Sequence, residues 1–494
     1  MANEYSDNLP QVAYTSQQVQ QYEGQAAKLS GTNLTTLMRR AGHAAFSYVN
    51  DTMSSHEKVL VITGKGNNAG DGFIVAQLCW EAGIAVTVLT LFEPKRLAGD
   101  AQQAYRQYHG KLVSTYNEID LSQFTTVVDA VFGTGFRGEL PEHVRTCFDC
   151  INNLPIRKVA LDVPSGVNAT TGEVAPSALM ASTTVTFIAL KQGLLSGTAK
   201  RFVGNLLLAG LGVDKAFNSQ VTATSNFLNH ETLMATRPQR ALDSYKNSHG
   251  HVLVIGGNHG MAGAVRLAAE AALRAGAGLV SVATHPDNTA AVLYGRYELM
   301  VHAVATAEAL LPLLNKASVV VLGPGLGQDL WAQSLFRKVI QTKLPLVLDA
   351  DGLNLLAKEP VARSNWVLTP HLGEARRLLK NVNAKVDEAD RFAVVSNISK
   401  QYQATTVLKG PGSLVAQQQS ININRSGCAA MASAGMGDVL SGIIGGLLAQ
   451  GMEAFAATNL AVYIHGLAAE QAADDGAKGM LAGDLFEHIR GILG

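Results

Sequence analysis

Short apolar runs, each closed by a glycine-bearing loop and followed by a helix-period pattern, recur along most of this chain. Few folds accept that rhythm. Parallel strands need long crossovers, and helices covering both faces make each strand an almost continuous apolar run. In the first half, Lys58 to Thr63 reads as such a strand, followed by the loop Gly64 to Gly72 and a helix that Gly83 ends. Further strands are expected at Ile84 to Leu91, Thr125 to Val131, Lys158 to Val163 and Thr183 to Leu190. From Val213 to about Gly250 the alternation fails and polar residues gather, as in Asn218-Ser219-Gln220, which reads as an interdomain connection. The rhythm restarts at His251 to Ile255 and an alanine-rich helix Ala262 to Ala275, with strands near 279–283, 318–322, 346–348, 366–369 and 405–408. Helices near 438–449 and 456–473 close the chain. With 494 residues, more than one core is expected, so the reading is α/β with domains over 1–218 and 225–494.

Lys plus Arg and Asp plus Glu are both 39, so no net field draws the chain to nucleic acid or an anionic membrane. Neither partner is expected. Four cysteines are too sparse for a disulfide scaffold, and Cys147 and Cys150 lack the partners of a zinc site; they read as ordinary thiols on a helix. No apolar run is long enough for a membrane span, and the polar start does not look like a signal peptide. A cytoplasmic protein is the expectation.

Two groups of loops carry chemistry. Gly64-Lys65-Gly66-Asn67-Asn68-Ala69-Gly70-Asp71-Gly72 joins a strand to a helix, where backbone N–H groups and the helix dipole favour phosphate. Lys65 precedes the glycines, so this is not a P-loop, nor is it GxGxxG. A tight turn with an asparagine cap would explain it equally well. Asp129, ahead of Gly133-Thr134-Gly135-Phe136-Arg137-Gly138-Glu139, and Asp162, in Leu-Asp-Val-Pro-Ser-Gly, tip the balance towards function. In a doubly wound sheet these strand ends converge, so oxygen ligands for a hard cation and a shielded general acid/base become available.

In the second half, Gly435-Met436-Gly437-Asp438 opens a helix, placing donors and a positive dipole end beside a carboxylate able to take a hydroxyl proton. Gly256 to Ala264, Gly323 to Gly327, Thr369 to Glu374 and Lys409 to Ser413 are further loops at strand ends. Asp349 and Asp351 fit magnesium ligation and helix capping equally.

Taken in order, KGNNAGDG, DAVFGTGFRG, LDVPSGVNATTG and KQGLLSG resemble the NAD(P)HX epimerase domain over roughly residues 10 to 215. The motifs VIGGNHGMAGA, GPGLG, LDADGLNLL, TPHLGE, KGPGS and AGMGDVLSGIIGGLLAQG resemble the NAD(P)HX dehydratase domain over roughly 225 to 494. The resemblance implies a Rossmann-like doubly wound domain followed by a ribokinase-like α/β domain. It implies that NADHX and NADPHX are epimerised at C6 and that the S form is dehydrated with ADP, giving AMP and phosphate. Asn67, Asn68, Ala69, Gly70, Asp71 and Gly133 to Glu139 would hold the dinucleotide, with Asp162 as acid/base. Asn68, Asp129 and Ser165 would bind K+. Ala264, Gly327, His371 and Asp438 would contact the S-hydrate, with Asp438 catalytic. Lys409, Gly410, Pro411, Gly412, Ser413 and Gly437 would hold ADP, which carries Mg2+. Homo-oligomers are the family expectation. Ala69 replaces a usual glycine and would hinder a positive-φ turn, and Gly427 to Met431 departs from the family's G-N-P-G-M. The rival reading is a ribokinase-like vitamin or sugar kinase fused to a nucleotide-binding module.

Overall fold

The computed structural model describes residues 4–53, 57–380 and 386–494. It divides into two compact units, Met1–Asn226 and Phe227–Gly494.

In the first unit the sheet order is Lys111–Val113, Ala85–Thr90, Lys58–Thr63, Thr126–Ala130, Arg157–Leu161, Thr183–Phe187, Asn205–Ala209. Every pairing is parallel. The chain leaves Lys58–Thr63 towards one edge, then returns to Thr126–Ala130 and proceeds to the other. The switch point between those two strands opens a crevice at their carboxyl ends. Strand residues such as Leu60, Ile62, Val127 and Val128 are fully buried, as sheets covered on both faces require. The Thr183 strand stops at Phe187 instead of running to Leu190, because Ile188 takes φ 67°.

The connection expected from Val213 onwards is more ordered than its composition suggests. Asp214–Gln220 is helical, Gln18 Nε2 donates to the Thr222 carbonyl at 2.9 Å, and Thr224 Oγ1 donates to Gln192 at 2.8 Å. Val12–Ala13 pairs antiparallel with Ser225–Asn226. These bonds carry the first unit to Asn226, beyond the expected 218.

In the second unit the order is Ser420–Ile423, Leu414–Gln417, Thr405–Leu408, Trp366–Leu368, Leu346–Leu348, Val319–Leu322, His251–Ile255, Leu279–Thr284, Met300–Ala303. The pairings from Thr405–Leu408 through Met300–Ala303 are parallel, and the first two strands add an antiparallel hairpin. Helix Met436–Ala449 lies buried along nearly its whole length. Its small residues explain how. A Cβ on Gly442 would stand 2.1 Å from the Ala268 carbonyl oxygen, and one on Gly445 would stand 2.5 Å from Val321. This seats an apolar helix against the sheet, with its N-terminus at the carboxyl ends of the strands. We expect Gly442→Ala to destabilise this unit by about 1–3 kcal/mol through overpacking, read as an earlier denaturant midpoint.

Candidate functional site

At the first switch point lies a cleft of about 670 Å³. It is lined by the predicted residues Asn67, Asn68, Asp71, Gly133, Thr134, Gly135, Phe136, Arg137, Glu139 and Asp162. Loop convergence is direct: a Cβ on Gly64 would lie 2.0 Å from the Val131 carbonyl oxygen, so only glycine permits the two strand ends to meet. A Cβ on Gly133 would lie 3.4 Å from Asp162 Oδ2 and 3.5 Å from the Asn68 side chain. Three of the positions predicted to hold the dinucleotide do not line the cleft. Ala69 is fully buried in the core, a Cβ on Gly70 would lie 2.6 Å from Met38 Sδ, and Gly138 is a positive-φ turn residue. Ala69 sits within helix Asn67–Glu81 without positive φ, so alanine there needs no strained turn.

Asp162 occupies φ 65°, an uncommon place for a residue with a side chain. Lys191 Nζ, 1% exposed, meets its Oδ1 at 2.5 Å and also donates to Thr186 Oγ1 at 3.0 Å and the Phe187 carbonyl at 2.7 Å. Both Lys191 and Glu23 line the cleft, and neither has a role in the sequence reading. Burial, with Asp162 adding to it and Lys191 opposing, pushes Glu23 up to about 6. Asp71 is held well above the carboxylate range by burial, then by Asp162 and Glu23. Two carboxyls of raised pKa therefore stand beside a lysine-paired carboxylate. Such an arrangement can both give and take protons.

Asp129 and Ser165 lie beneath the cleft, not on its wall. Ser165 donates from N to Asp129 Oδ2 at 2.7 Å and from Oγ to Oδ1 at 2.6 Å, and Val131 N donates to Oδ1 at 3.1 Å. Phe132 N donates to Ser165 Oγ at 2.8 Å, which ties this pair to the Gly133 loop. Burial raises Asp129 to about 6 against those hydrogen bonds. Asn68 Oδ1 and Nδ2 are buried without a hydrogen-bond partner. Asn68 stands against Gly133, whose loop is tied through Phe132 to Ser165 and so to Asp129; amide, hydroxyl and carboxylate oxygens together are a donor set that fits a hard monovalent cation.

In the second unit, three neighbouring strands end at one place. Leu346–Leu348 delivers Asp349, Trp366–Leu368 leads to His371 and Glu374, and Thr405–Leu408 delivers Lys409. Lys409 Nζ lies 2.7 Å from Asp349 Oδ1 and 4.0 Å from Glu374 Oε2. Burial works against the lysine's charge, but Asp349, Glu374 and Asp438 outweigh it and raise its pKa. Asp349 Oδ2 accepts from Ser441 Oγ at 3.2 Å. A Cβ on Gly437 would stand 3.2 Å from Lys409 Nζ, so the helix N-terminus faces that ammonium. Asp438, in the first turn, is pushed up to about 7 by burial and by Asp349, with Lys409 pulling the other way.

The two acids left open by sequence separate here. Asp349 pairs with Lys409, whereas Asp351 accepts from Gly327 N at 2.9 Å, Gln328 Nε2 at 3.1 Å and Asn354 Nδ2 at 3.1 Å. Asp351 thus fixes the Gly323 to Gly327 loop. Asn258 N donates to the Gly325 carbonyl at 2.7 Å, and a Cβ on Gly325 would lie 3.3 Å from Ala264. His371 caps helix Leu372–Leu379, accepting from Gly373 N at 2.9 Å through Nδ1, and its exposed ring has a pKa lowered by burial, then Lys409 and Arg377. Gly410 and Gly412 take φ 138° and 59°, and Ser413 Oγ closes their turn on the Gly410 carbonyl at 3.0 Å.

A helix N-terminus facing a half-buried lysine, with a carboxylate of raised pKa alongside, is an arrangement suited to an anionic ligand, and it belongs to a ribokinase-like unit that follows a Rossmann-like one in the chain. Residues 252–490 match the NAD(P)H-hydrate dehydratase family, and 34–193 match the family described as YjeF-related protein N-terminus. The Coxiella burnetii bifunctional NAD(P)H-hydrate repair enzyme is 44% identical over 98% of this chain and 99% of its own. The Escherichia coli K12 enzyme of the same name is 41% identical over 98% and 95%. A Bacillus subtilis ADP/ATP-dependent NAD(P)H-hydrate dehydratase, co-crystallised with ATP/Mg2+, is 28% identical, covering 54% of this chain and 96% of that one, with TM-score 0.48. This chain belongs to the bifunctional NAD(P)H-hydrate repair enzymes, with an epimerase and a dehydratase domain.

Proposed function

We propose that the first unit interconverts the R and S forms of NADHX and NADPHX, and that the second converts the S form to NAD(P)H with ADP as phosphoryl donor. The reading rests above all on Asp438, set in the first turn of a buried helix opposite Lys409. C6 of the hydrate carries both a hydroxyl and the ring nitrogen. At the first site, Asp162 removes the hydroxyl proton and the C6–N1 bond opens, leaving an aldehyde and a conjugated amine. Rotation about C5–C6 and closure from the other face give the opposite epimer. Glu23 or Asp71, carboxyls of raised pKa that line the same cleft, supplies the proton to nitrogen.

At the second site, Asp438 takes the C6 hydroxyl proton as oxygen attacks the terminal phosphorus and AMP departs. The N1 lone pair then expels phosphate from C6, and loss of a C5 proton restores the dihydropyridine. Lys409 and the N–H groups of Gly437 and its neighbours hold the phosphates, while Gly410 to Ser413 shape the nucleotide pocket. Magnesium bound to the diphosphate would neutralise part of its charge. Asp349 is engaged by Lys409 and Ser441, so ADP and water would supply most of that ion's ligands.

Absorbance at 340 nm, starting from mixed R and S hydrate with ADP, Mg2+ and K+, tests both halves together. Complete recovery of NADH is expected. Recovery that stops at the S fraction removes the epimerase assignment, and a stable phosphorylated product without phosphate release removes the dehydratase assignment.

Potassium is proposed to sit with Asn68, Asp129 and Ser165, holding Asp129 ionised and fixing the Gly133 loop. We expect K+ to raise both the epimerase rate and the thermal midpoint of the first unit, with tetramethylammonium doing neither. Asn68→Ala removes both effects; a variant that keeps them overturns the site. The proposed compartment is the cytoplasm, in keeping with four free cysteines. Among the described residues no helix is long and apolar enough to cross a membrane.

A further inference from the structure

Away from the Asp438–Lys409 pair, two imidazoles and a carboxylate meet at the rim of the second unit. His259 comes from the loop after strand His251–Ile255, and His285 and Asp287 from the turn after Leu279–Thr284. One ligand atom from each of the three lies within 4.8 Å of the others. His259 Nδ1 stands 3.3 Å and His285 Nδ1 stands 3.5 Å from Asp287 Oδ2. A tetrahedral zinc centre with metal–ligand bonds near 2.0–2.1 Å has donor–donor edges of about 3.3–3.4 Å. The two edges, 3.3 and 3.5 Å, are close to that length.

The segments are held ready for it. Asn288 Nδ2 donates to the carbonyls of Gly257 and Asn258, both at 2.8 Å, and Thr284 Oγ1 donates to Gly257 at 2.8 Å. The imidazole rings lie with centroids 3.9 Å apart, and Trp331, anchored by its Nε1 to the Val304 carbonyl at 2.9 Å, packs edge-on to His285. Asp329 adds negative charge close to both imidazoles while its own oxygens are engaged by Asn258 and Ala332 N. A weak bond from Asp287 N to His285 Nδ1, 3.4 Å long, is the contact a metal would replace.

We propose that His259, His285 and Asp287 bind one divalent ion of the zinc class, leaving a fourth position for water. Two imidazole nitrogens select such an ion over magnesium or calcium, which prefer all-oxygen shells. Binding ties the Gly256 to Gly260 loop to the Pro286–Asn288 turn. That loop also holds the Gly323 to Gly327 segment through Asn258.

The full-length chain, stripped with a chelator, is titrated with Zn2+ against a chromogenic chelator, and separately with Co2+. One tight equivalent is expected, with the visible absorption of tetrahedral cobalt and no thiolate charge-transfer band, which separates this site from exposed Cys150. His259→Gln and His285→Gln should each lose that equivalent, and Asp287→Asn should weaken it at least tenfold, with far-ultraviolet circular dichroism unchanged. No tight equivalent, a thiolate band, or unchanged stoichiometry in both histidine variants overturns the site. If one variant misfolds, the other and Asp287→Asn still decide.

Discussion

Asp438→Asn is expected to lower the dehydration rate by about 10²–10⁴-fold, the usual worth of a positioned general base, while epimerisation persists. Asparagine keeps the size and the first-turn position but cannot accept the hydroxyl proton. The pH profile follows from the same group. Burial and the nearby Asp349 charge raise Asp438 to about 7, with Lys409 opposing. Only the ionised form is a base, so the rate should climb with pH through about 7 and level off above it. Lys409→Met removes the charge that favours ionisation, so the climb should move to higher pH. It should also weaken nucleotide binding, because the ammonium facing Gly437 is lost. Single-turnover formation of NADH at saturating ADP separates the two effects. A rate within tenfold of wild type in Asp438→Asn, or a flat profile between pH 6 and 8 in the parent, overturns the assignment.

Sequence pattern locates what is buried and repetitive better than what is short or exposed. Lys58–Thr63 and Thr126–Ala130 were visible because a strand covered on both faces must be apolar throughout. Short strands at the sheet margins escape that rule: Lys111–Val113 is largely exposed, and Ser420–Ile423 is fully buried only at Ile423. Asp162 and Asp438 stand out because acids at strand ends and helix starts are conspicuous among glycines. Glu23 does not, since it lies one amphipathic helix and many residues away from the loops it faces. Lys191 was available in KQGLLSG. A lysine within a long apolar run demands a buried partner, and Asp162 is the acid it meets. Ala69 illustrates the reverse case. The motif suggested a positive-φ turn, whereas the helix has already begun there and alanine suits it.

The ion pair at the first site gives the other large expected effect. Lys191 is 1% exposed and the Asp162 side chain 13%, so removing one partner leaves the other charged and nearly without water. Breaking such a pair typically costs about 3–5 kcal/mol. Lys191→Met should therefore lower the melting temperature of the first unit by roughly 10 °C and abolish epimerisation. Loss of activity in that variant would have two explanations, a loosened fold or a missing charge. The double variant Asp162→Asn/Lys191→Met distinguishes them, since it removes the stranded carboxylate and should regain most of the stability. If the pair acts in the chemistry, the double variant melts near wild type and still fails to consume the R epimer. Dehydration of the S epimer by the second unit of the same molecule serves as the internal control. Recovery of epimerisation along with stability would make the pair purely structural and move the acid/base role to Glu23 and Asp71, the two carboxyls of raised pKa that line the same cleft.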